Sequence, residues 1–307
     1  MADAELRIIC GPTAAGKSAI ALSLAERRPT AIISADSRQI YRRFDIGTAK
    51  PTTAERRRVP HRGIDIVEPV ERYSAASWAV DATRWIADAA AAQRTPLVVG
   101  GTGFYLRALA VPLFDEPALD PDRRTALGRV LATMPTPDLR RWCEQLDPAR
   151  AHLGRTQLLR AIEIAVLTGR PISEWHREQS RAATYRARWL VVSPRTPATL
   201  ARRIEERAMA MLDAGWEDEV RELIRTVPDD APAWNATGYR AVRDRVRGIM
   251  SRDSMLARII VDTRQYAKRQ RTWFRHQLPA EGVTRLDPTD QRAMDLAVHW
   301  WMEGERR

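Results

Sequence analysis

Near its start the chain carries Gly11-Pro12-Thr13-Ala14-Ala15-Gly16-Lys17-Ser18, and few other eight-residue runs narrow the choice of fold so far. Glycine, four variable residues and then Gly-Lys-Ser is the spacing of a phosphate-binding P-loop. The flanks agree with it. Leu6 to Cys10 is a short apolar run that reads as a strand, and Ser18 to Arg27 reads as a helix. Strand, glycine loop and helix in that order aim backbone N–H groups and the positive end of a helix at one point, where phosphate oxygens are held. Lys17 brings a compact cation to that point, and the Ser18 hydroxyl is placed to ligate Mg2+. The loop alone specifies a phosphate and leaves the reaction open.

The rest of the chain reads as repeats of the same wiring. Thr30 to Ser34 is a second strand, which ends at Asp36 in the segment Asp36-Ser37-Arg38-Gln39-Ile40-Tyr41. A polar loop from Asp45 to Pro60 follows, then an expected short strand at Ile64 to Val67, a helix from Ser74 to Ala92 and a buried strand from Pro96 to Val99. That strand runs into Gly100-Gly101-Thr102-Gly103. From about Leu113 to Arg186 strands vanish, and helical patterns alternate with prolines at 117, 121, 135, 137, 148 and 171. A strand at Arg188 to Val192 and helices at Pro197 to Ala214, Glu217 to Thr226 and Ser254 to Gln277 resume the core, and a closing helix begins near Gln291. The predicted class is α/β: a P-loop NTPase-like parallel sheet with flanking helices and a helical insertion domain. The expected boundaries are residues 1–112 and 188–307 for the core and 113–187 for the insertion, which is also expected to touch the macromolecular partner.

Charge narrows the partner. The formal net charge is +11, carried by forty-seven arginines and three lysines, and such a surface draws polyanions by long-range attraction and counterion release. In the helix from Ser254, residues Arg264, Lys268, Arg271 and Arg275 recur at spacings of 4, 3 and 4, a basic ridge beside the apolar stripe of Met255, Leu256, Ile259, Ile260, Tyr266, Ala267, Trp273 and Phe274. A solvated helix face has the same pattern. No secretory leader is legible and Cys10 and Cys143 have no partner spacing for a zinc site, so the cytoplasm is the expected compartment, with both thiols buried. No apolar run has the length of a membrane span.

A P-loop that hydrolyses nucleoside triphosphates needs an acid at the end of a later strand, and Val98-Val99-Gly100-Gly101 offers none. Asp36 is the better-placed carboxylate, at the carboxyl edge of the expected sheet, and suits a base acting on an incoming nucleophile; a turn-capping role would use the same residue type. A kinase for a nucleotide or another small molecule remains the alternative at this point.

Beyond the loop, the segments Ser34-Ala-Asp-Ser-Arg-Gln-Ile-Tyr41, Asp45-Ile-Gly-Thr-Ala-Lys-Pro51, Pro60-His61, Tyr73-Ser-Ala-Ala76, Val99-Gly-Gly-Thr-Gly-Phe-Tyr105, Leu167-Thr-Gly-Arg-Pro-Ile-Ser173, Gly238-Tyr239 and Thr263-Arg-Gln-Tyr-Ala-Lys-Arg-Gln270 follow in order. With the P-loop they resemble the tRNA dimethylallyltransferase family over nearly the whole chain. The resemblance implies transfer of a dimethylallyl group from dimethylallyl diphosphate to the N6 amine of the adenosine 3′ of the anticodon, tRNA position 37. It implies Asp36 as base, with Thr13 and Arg203 supporting the leaving group. The pyrophosphate would lie on Gly11, Pro12, Thr13, Ala14, Ala15, Gly16, Lys17 and Ser18, with Mg2+ on Ser18. Contacts to tRNA would fall on Asp36, Ser37, Arg38, Gln39, Thr102 and Arg124, and on Gln157, Leu158, Leu159, Arg160 and Ala161. Ser77 stands where the family usually has an acid, and His152-Leu-Gly154 where it has His-Pro-Asn. The chain stops at Arg307 without the zinc-binding extension of eukaryotic relatives, so a bacterial-type enzyme is expected; the expected oligomeric state, separately, is a monomer.

Overall fold

The computed structural model describes residues 5–110, 117–178 and 185–303. Six strands form one sheet: β1 Glu5–Cys10, β2 Thr30–Ala35, β3 His61–Arg62, β4 Thr95–Gly100, β5 Arg186–Val192 and β6 Val283–Leu286. Their order is β3-β2-β4-β1-β5-β6, and every pairing is parallel. A sheet covered on both faces requires strands that are apolar throughout rather than alternating. Ile8, Ile9, Ile33, Val98, Leu190 and Val192 are accordingly all buried.

The helices of this unit are α1 Lys17–Ala25, α2 Thr53–Arg58, α3 Ala75–Ala91 and α4 Gly103–Ala110; the insertion holds α5 Pro121–Thr133, α6 Thr136–Leu146, α7 Arg155–Thr168 and α8 Ile172–Glu178. After β5 come α9 Pro197–Asp213, α10 Trp216–Thr226, α11 Tyr239–Val246, α12 Arg252–His276 and α13 Ala293–Met302. By compactness the chain divides into Met1–Ala110 with Thr184–Arg307, and Val111–Ala183. The insertion has its own core, built on Leu139, Cys143, Leu158, Ala161, Ile162 and Ile164. Its prolines delimit helices instead of breaking them: Pro121 and Pro137 sit in first turns, where a missing N–H costs nothing.

Two expectations shift. The strand expected at Ile64 to Val67 lies earlier, at His61–Arg62, and Val67 keeps only an isolated bridge to Tyr41. Gly63 at φ +77° and Asp65 at φ +56° are left-handed positions, which end an extended run. The edge strand β6 was not expected at all. It is four residues long and half polar, too short for a period-2 signal, and exists because β5 offers it hydrogen bonds. Helix α13 closes the sheet edge as expected, with Trp300 and Trp301 buried and the Arg28 guanidinium 3.9 Å over the Trp301 ring. Both cysteines are free and buried.

Candidate active site

The site forms at the carboxyl ends of β1, β2 and β4, where a parallel sheet gathers its loops. The P-loop leaves β1 through Gly11 at φ +141°; a Cβ there would stand 2.0 Å from the carbonyl oxygen of Val192 on the neighbouring strand. Only glycine lets the chain turn so close to β5. Gly16 at φ +93° then caps α1. Lys17 Nζ donates to the Pro12 carbonyl of its own loop at 2.7 Å.

Asp36 directly follows β2. Its Oδ1 accepts the Arg38 N–H at 2.8 Å, which is the turn-capping role; its other oxygen makes no hydrogen bond among the described residues. Asp36 lines two adjoining cavities, of about 320 Å³ and 70 Å³. Thr13, Asp36 and Arg207 border both, and Lys17, Ser18 and Gln270 line the larger. The carboxylate therefore stands where the phosphate loop meets a second opening.

The pocket gathers two buried cations. Burial, then the nearby Arg207, pulls the Lys17 pKa down to about 8, against the pull of Asp36 and Cys10. Burial also lowers Arg207, opposed by Asp36. The Cys10 thiol is pushed far above its usual range by burial, so it stays neutral. Two cations held against their solvation preference become favourable once a polyanion replaces the lost water.

Gln270, on α12, joins the P-loop to the end of β4. Its Oε1 accepts the Thr13 N–H at 2.8 Å and its Nε2 donates to the Gly101 carbonyl at 2.9 Å, with the residue 6% exposed. A Cβ on Gly101 would fall 2.3 Å from that Nε2, so the glycine makes room for the clamp. Nothing in the sequence around Gln270, or around Tyr266 one turn before it, marks either residue for the site. Tyr266 lines both cavities, its pKa raised to about 12 by burial and by Asp36.

The expected residues fall into three groups. Asp36, Thr13, Lys17 and Ser18 come together as expected. Arg203 approaches the loop from outside, its Nη1 donating to the Ala15 carbonyl at 3.2 Å, while Arg207, one helical turn later and not singled out from sequence, lines the cavities. Gln39 lines the cavity, but its amide is engaged: Oε1 accepts from Ser34 Oγ at 2.9 Å, and Nε2 donates to the carbonyls of Thr48 and Ala49 at 3.2 and 3.0 Å. It ties the Asp36 loop to the Asp45–Pro51 loop. That second loop is further held by Lys50, whose ammonium contacts Asp45 at 2.7 Å and Asp65 at 2.5 Å, and by Glu219, which accepts the Ile46 N–H at 2.7 Å. Thr102 Oγ1 accepts the Ser37 N–H at 3.0 Å. Ser74 caps α3 by accepting the Ser77 N–H at 3.0 Å, so the serine that replaces an acid is accommodated within the cap.

Within the insertion, Arg124 pairs with Glu163 at 2.7 Å, and Arg160 pairs with the same carboxylate. Gln157 is exposed and accepts the Gly154 N–H at 3.1 Å. Leu158 and Ala161 are 0% and 1% exposed and belong to the insertion's core. Of the α7 residues that the resemblance gives to tRNA, Gln157 is exposed and Leu159 and Arg160 are half-buried.

Comparison with known proteins agrees with this geometry. Residues 39–277 match the IPP transferase family model, and residues 4–62 the isopentenyl transferase model. The chain is 43% identical over 308 residues to a tRNA dimethylallyltransferase of Halorhodospira halophila, covering 98% of both chains. It is also 43% identical to that of Burkholderia ambifaria, covering 94% of this chain and 92% of the relative. Among solved structures, the tRNA delta(2)-isopentenylpyrophosphate transferase of Staphylococcus epidermidis superposes with TM-score 0.67 at 28% identity, covering 95% and 97% of the two chains. A eukaryotic dimethylallyltransferase described as acting on tRNA gives TM-score 0.80 at 25% identity over 95% of this chain and 76% of its own. The chain belongs to the tRNA dimethylallyltransferase family, a family of prenyltransferases.

Proposed function

We propose that this protein transfers a dimethylallyl group from dimethylallyl diphosphate to the exocyclic N6 amine of the adenosine at tRNA position 37, releasing pyrophosphate. The observation that carries the reading is the meeting of two cavities at Asp36, Thr13 and Arg207, with the P-loop on one side. Pyrophosphate lies on the P-loop residues Gly11 to Ser18. The bond from the allylic C1 to the bridging oxygen breaks, the bond from N6 to C1 forms, and Asp36 takes the amine proton. Negative charge gathers on the leaving oxygens, where Thr13, Lys17 and Arg207 oppose it from inside the cavity and Arg203 holds the loop from behind. A kinase would use the same loop, but β4 ends at Gly100 without the acid that phosphoryl transfer to water or alcohol draws on for its metal.

Ser18 is exposed at the start of α1, lines the larger cavity and is free to offer its hydroxyl to Mg2+. A Mg2+ ion there would take its remaining ligands from pyrophosphate oxygens and water. Such a cation would neutralise charge on the leaving group.

The RNA side of the reading draws on charge. Arg264, Lys268, Arg271 and Arg275 line a groove of about 620 Å³ between α9 and α12, and the ridge suits a phosphate backbone. Arg38 and Gln39 line the cavities and Thr102 holds the Ser37 N–H beside Asp36, and Arg124 with the segment Gln157, Leu158, Leu159, Arg160 and Ala161 are the candidates on the insertion. Among the described residues no helix is long and apolar enough to cross a membrane. We read the protein as a monomer of the cytoplasm.

The test is incubation with Mg2+, radiolabelled dimethylallyl diphosphate and unmodified tRNA bearing adenosine at position 37. Wild type should label the RNA; Asp36→Ala should keep tRNA affinity and lose roughly a hundredfold or more in turnover, the scale of a positioned base. No label with any such tRNA, alongside phosphoryl transfer from ATP, would overturn the reading.

A further inference from the structure

Of the aromatic side chains among the described residues, Phe104 alone is exposed, at 60%. Its surroundings are well packed. The next two residues, Tyr105 and Leu106, are 3% and 0% exposed, and the Tyr105 ring stacks on Trp78 with centroids 4.9 Å apart. Helix α4 thus drives two side chains into the core and turns the phenyl ring out. Arg107, three residues on and therefore on the same face, is exposed too.

Phe104 follows by three residues Gly101, which lines the larger cavity. Gly103, directly before it, lies so close to the Trp273 indole that a Cβ would be 2.4 Å away. Thr102, two residues before it, holds the Ser37 N–H at 3.0 Å, next to Asp36. No other residue of α4 is an exposed large hydrophobic, so the feature is a single ring with a cation beside it and not an apolar patch of the size that docks a protein.

We infer that Phe104 is a stacking platform for an unpaired RNA base, the nucleotide adjoining the one that enters the site, with Arg107 against a neighbouring phosphate. The inference rests on the tRNA-modifying reading above. Withdrawing a base from a loop strips its neighbours of a stacking partner, and an exposed aromatic ring replaces that surface whatever the base identity. A net charge of +11 brings the strand to the surface; the ring then fixes where the displaced neighbour rests.

The test uses an anticodon stem-loop with 2-aminopurine at either position flanking the target adenosine, together with steady-state kinetics on full-length tRNA. For the wild type, binding should quench one of the two probes. Phe104→Ala should lose the quench and raise the KM for tRNA about tenfold or more, with the KM for dimethylallyl diphosphate unchanged. Phe104→Trp should restore both readouts, whereas Phe104→Leu, which keeps apolar surface without a π-face, should not. A wild-type quench and tRNA KM in Phe104→Ala, or full rescue by Phe104→Leu, would overturn the inference while wild-type turnover leaves the tRNA reading intact. A wild type that prenylates no tRNA would overturn that reading first.

Discussion

Replacing Gln270 should damage the phosphate loop from a distance. Its side chain makes two hydrogen bonds, a part-buried one from the Thr13 N–H at 2.8 Å and a buried one to the Gly101 carbonyl at 2.9 Å. Gln270→Leu keeps about the same volume and leaves both groups without a partner. A buried unsatisfied group costs about 1–3 kcal/mol, so the pair together costs about 2–6 kcal/mol. For a domain of this size each kcal/mol lowers Tm by about 2–4 °C, which puts the fall at roughly 5–20 °C. Catalysis should suffer as well, because a displacement of about 1 Å in a positioned donor costs about a hundredfold, here in kcat/KM for dimethylallyl diphosphate. Gln270→Glu separates the two bonds. The carboxylate still accepts from Thr13 but faces the Gly101 carbonyl with a second acceptor, and protonation restores the missing donor. Its defect should therefore shrink as pH falls, while that of Gln270→Leu does not. Thermal melts and donor kinetics across pH would measure both. Wild-type Tm and wild-type donor kcat/KM in Gln270→Leu would refute the positioning role.

Two further outcomes follow from the site's cations. Arg207→Ala should lower kcat by about 10²–10³-fold, the scale for removing one donor at a charged transition state. Arg203→Ala should lower it less, since its guanidinium bonds the Ala15 carbonyl behind the loop; the reverse order in single-turnover rates would refute the assignment. Lys17 has its pKa lowered to about 8, so the free enzyme loses the ammonium as pH rises through that value, while a bound polyanion favours the charged form. Donor kcat/KM should decline above about pH 8, pyrophosphate binding there should take up a proton, and Lys17→Arg should lack this limb. Calorimetry in buffers of differing ionisation enthalpy would detect the uptake, and its absence near pH 8.5 would contradict the assignment.

Local chemistry explains how much of the molecule was legible beforehand. The P-loop spacing, the continuous apolar strands and the prolines at helix starts act within a few residues, so the parallel sheet, the helical insertion and the placing of Asp36 near Lys17 and Ser18 could be read from the chain. Family resemblance added the reaction. What could not be read depends on contacts between segments far apart in sequence. Gln270 meets Thr13 across 257 positions, and nothing near either residue announces the bond. Arg203 and Arg207 are alike as letters; the packing of α9 against the loop decides that one braces it from outside and the other borders the cavities. Gln39 is among the residues that the resemblance gives to tRNA, and only the fold engages both ends of its amide, Oε1 by Ser34 and Nε2 by the Asp45–Pro51 loop. That Leu158 and Ala161 pack into the insertion's own core is likewise set by helices distant from them in the chain. The sequence by itself determined which groups the protein has for holding phosphate and moving a proton. The tertiary structure decided which of them face the cavity, because helix rotation and strand order (β3-β2-β4-β1-β5-β6) are set by the whole packed core and by no single stretch of chain.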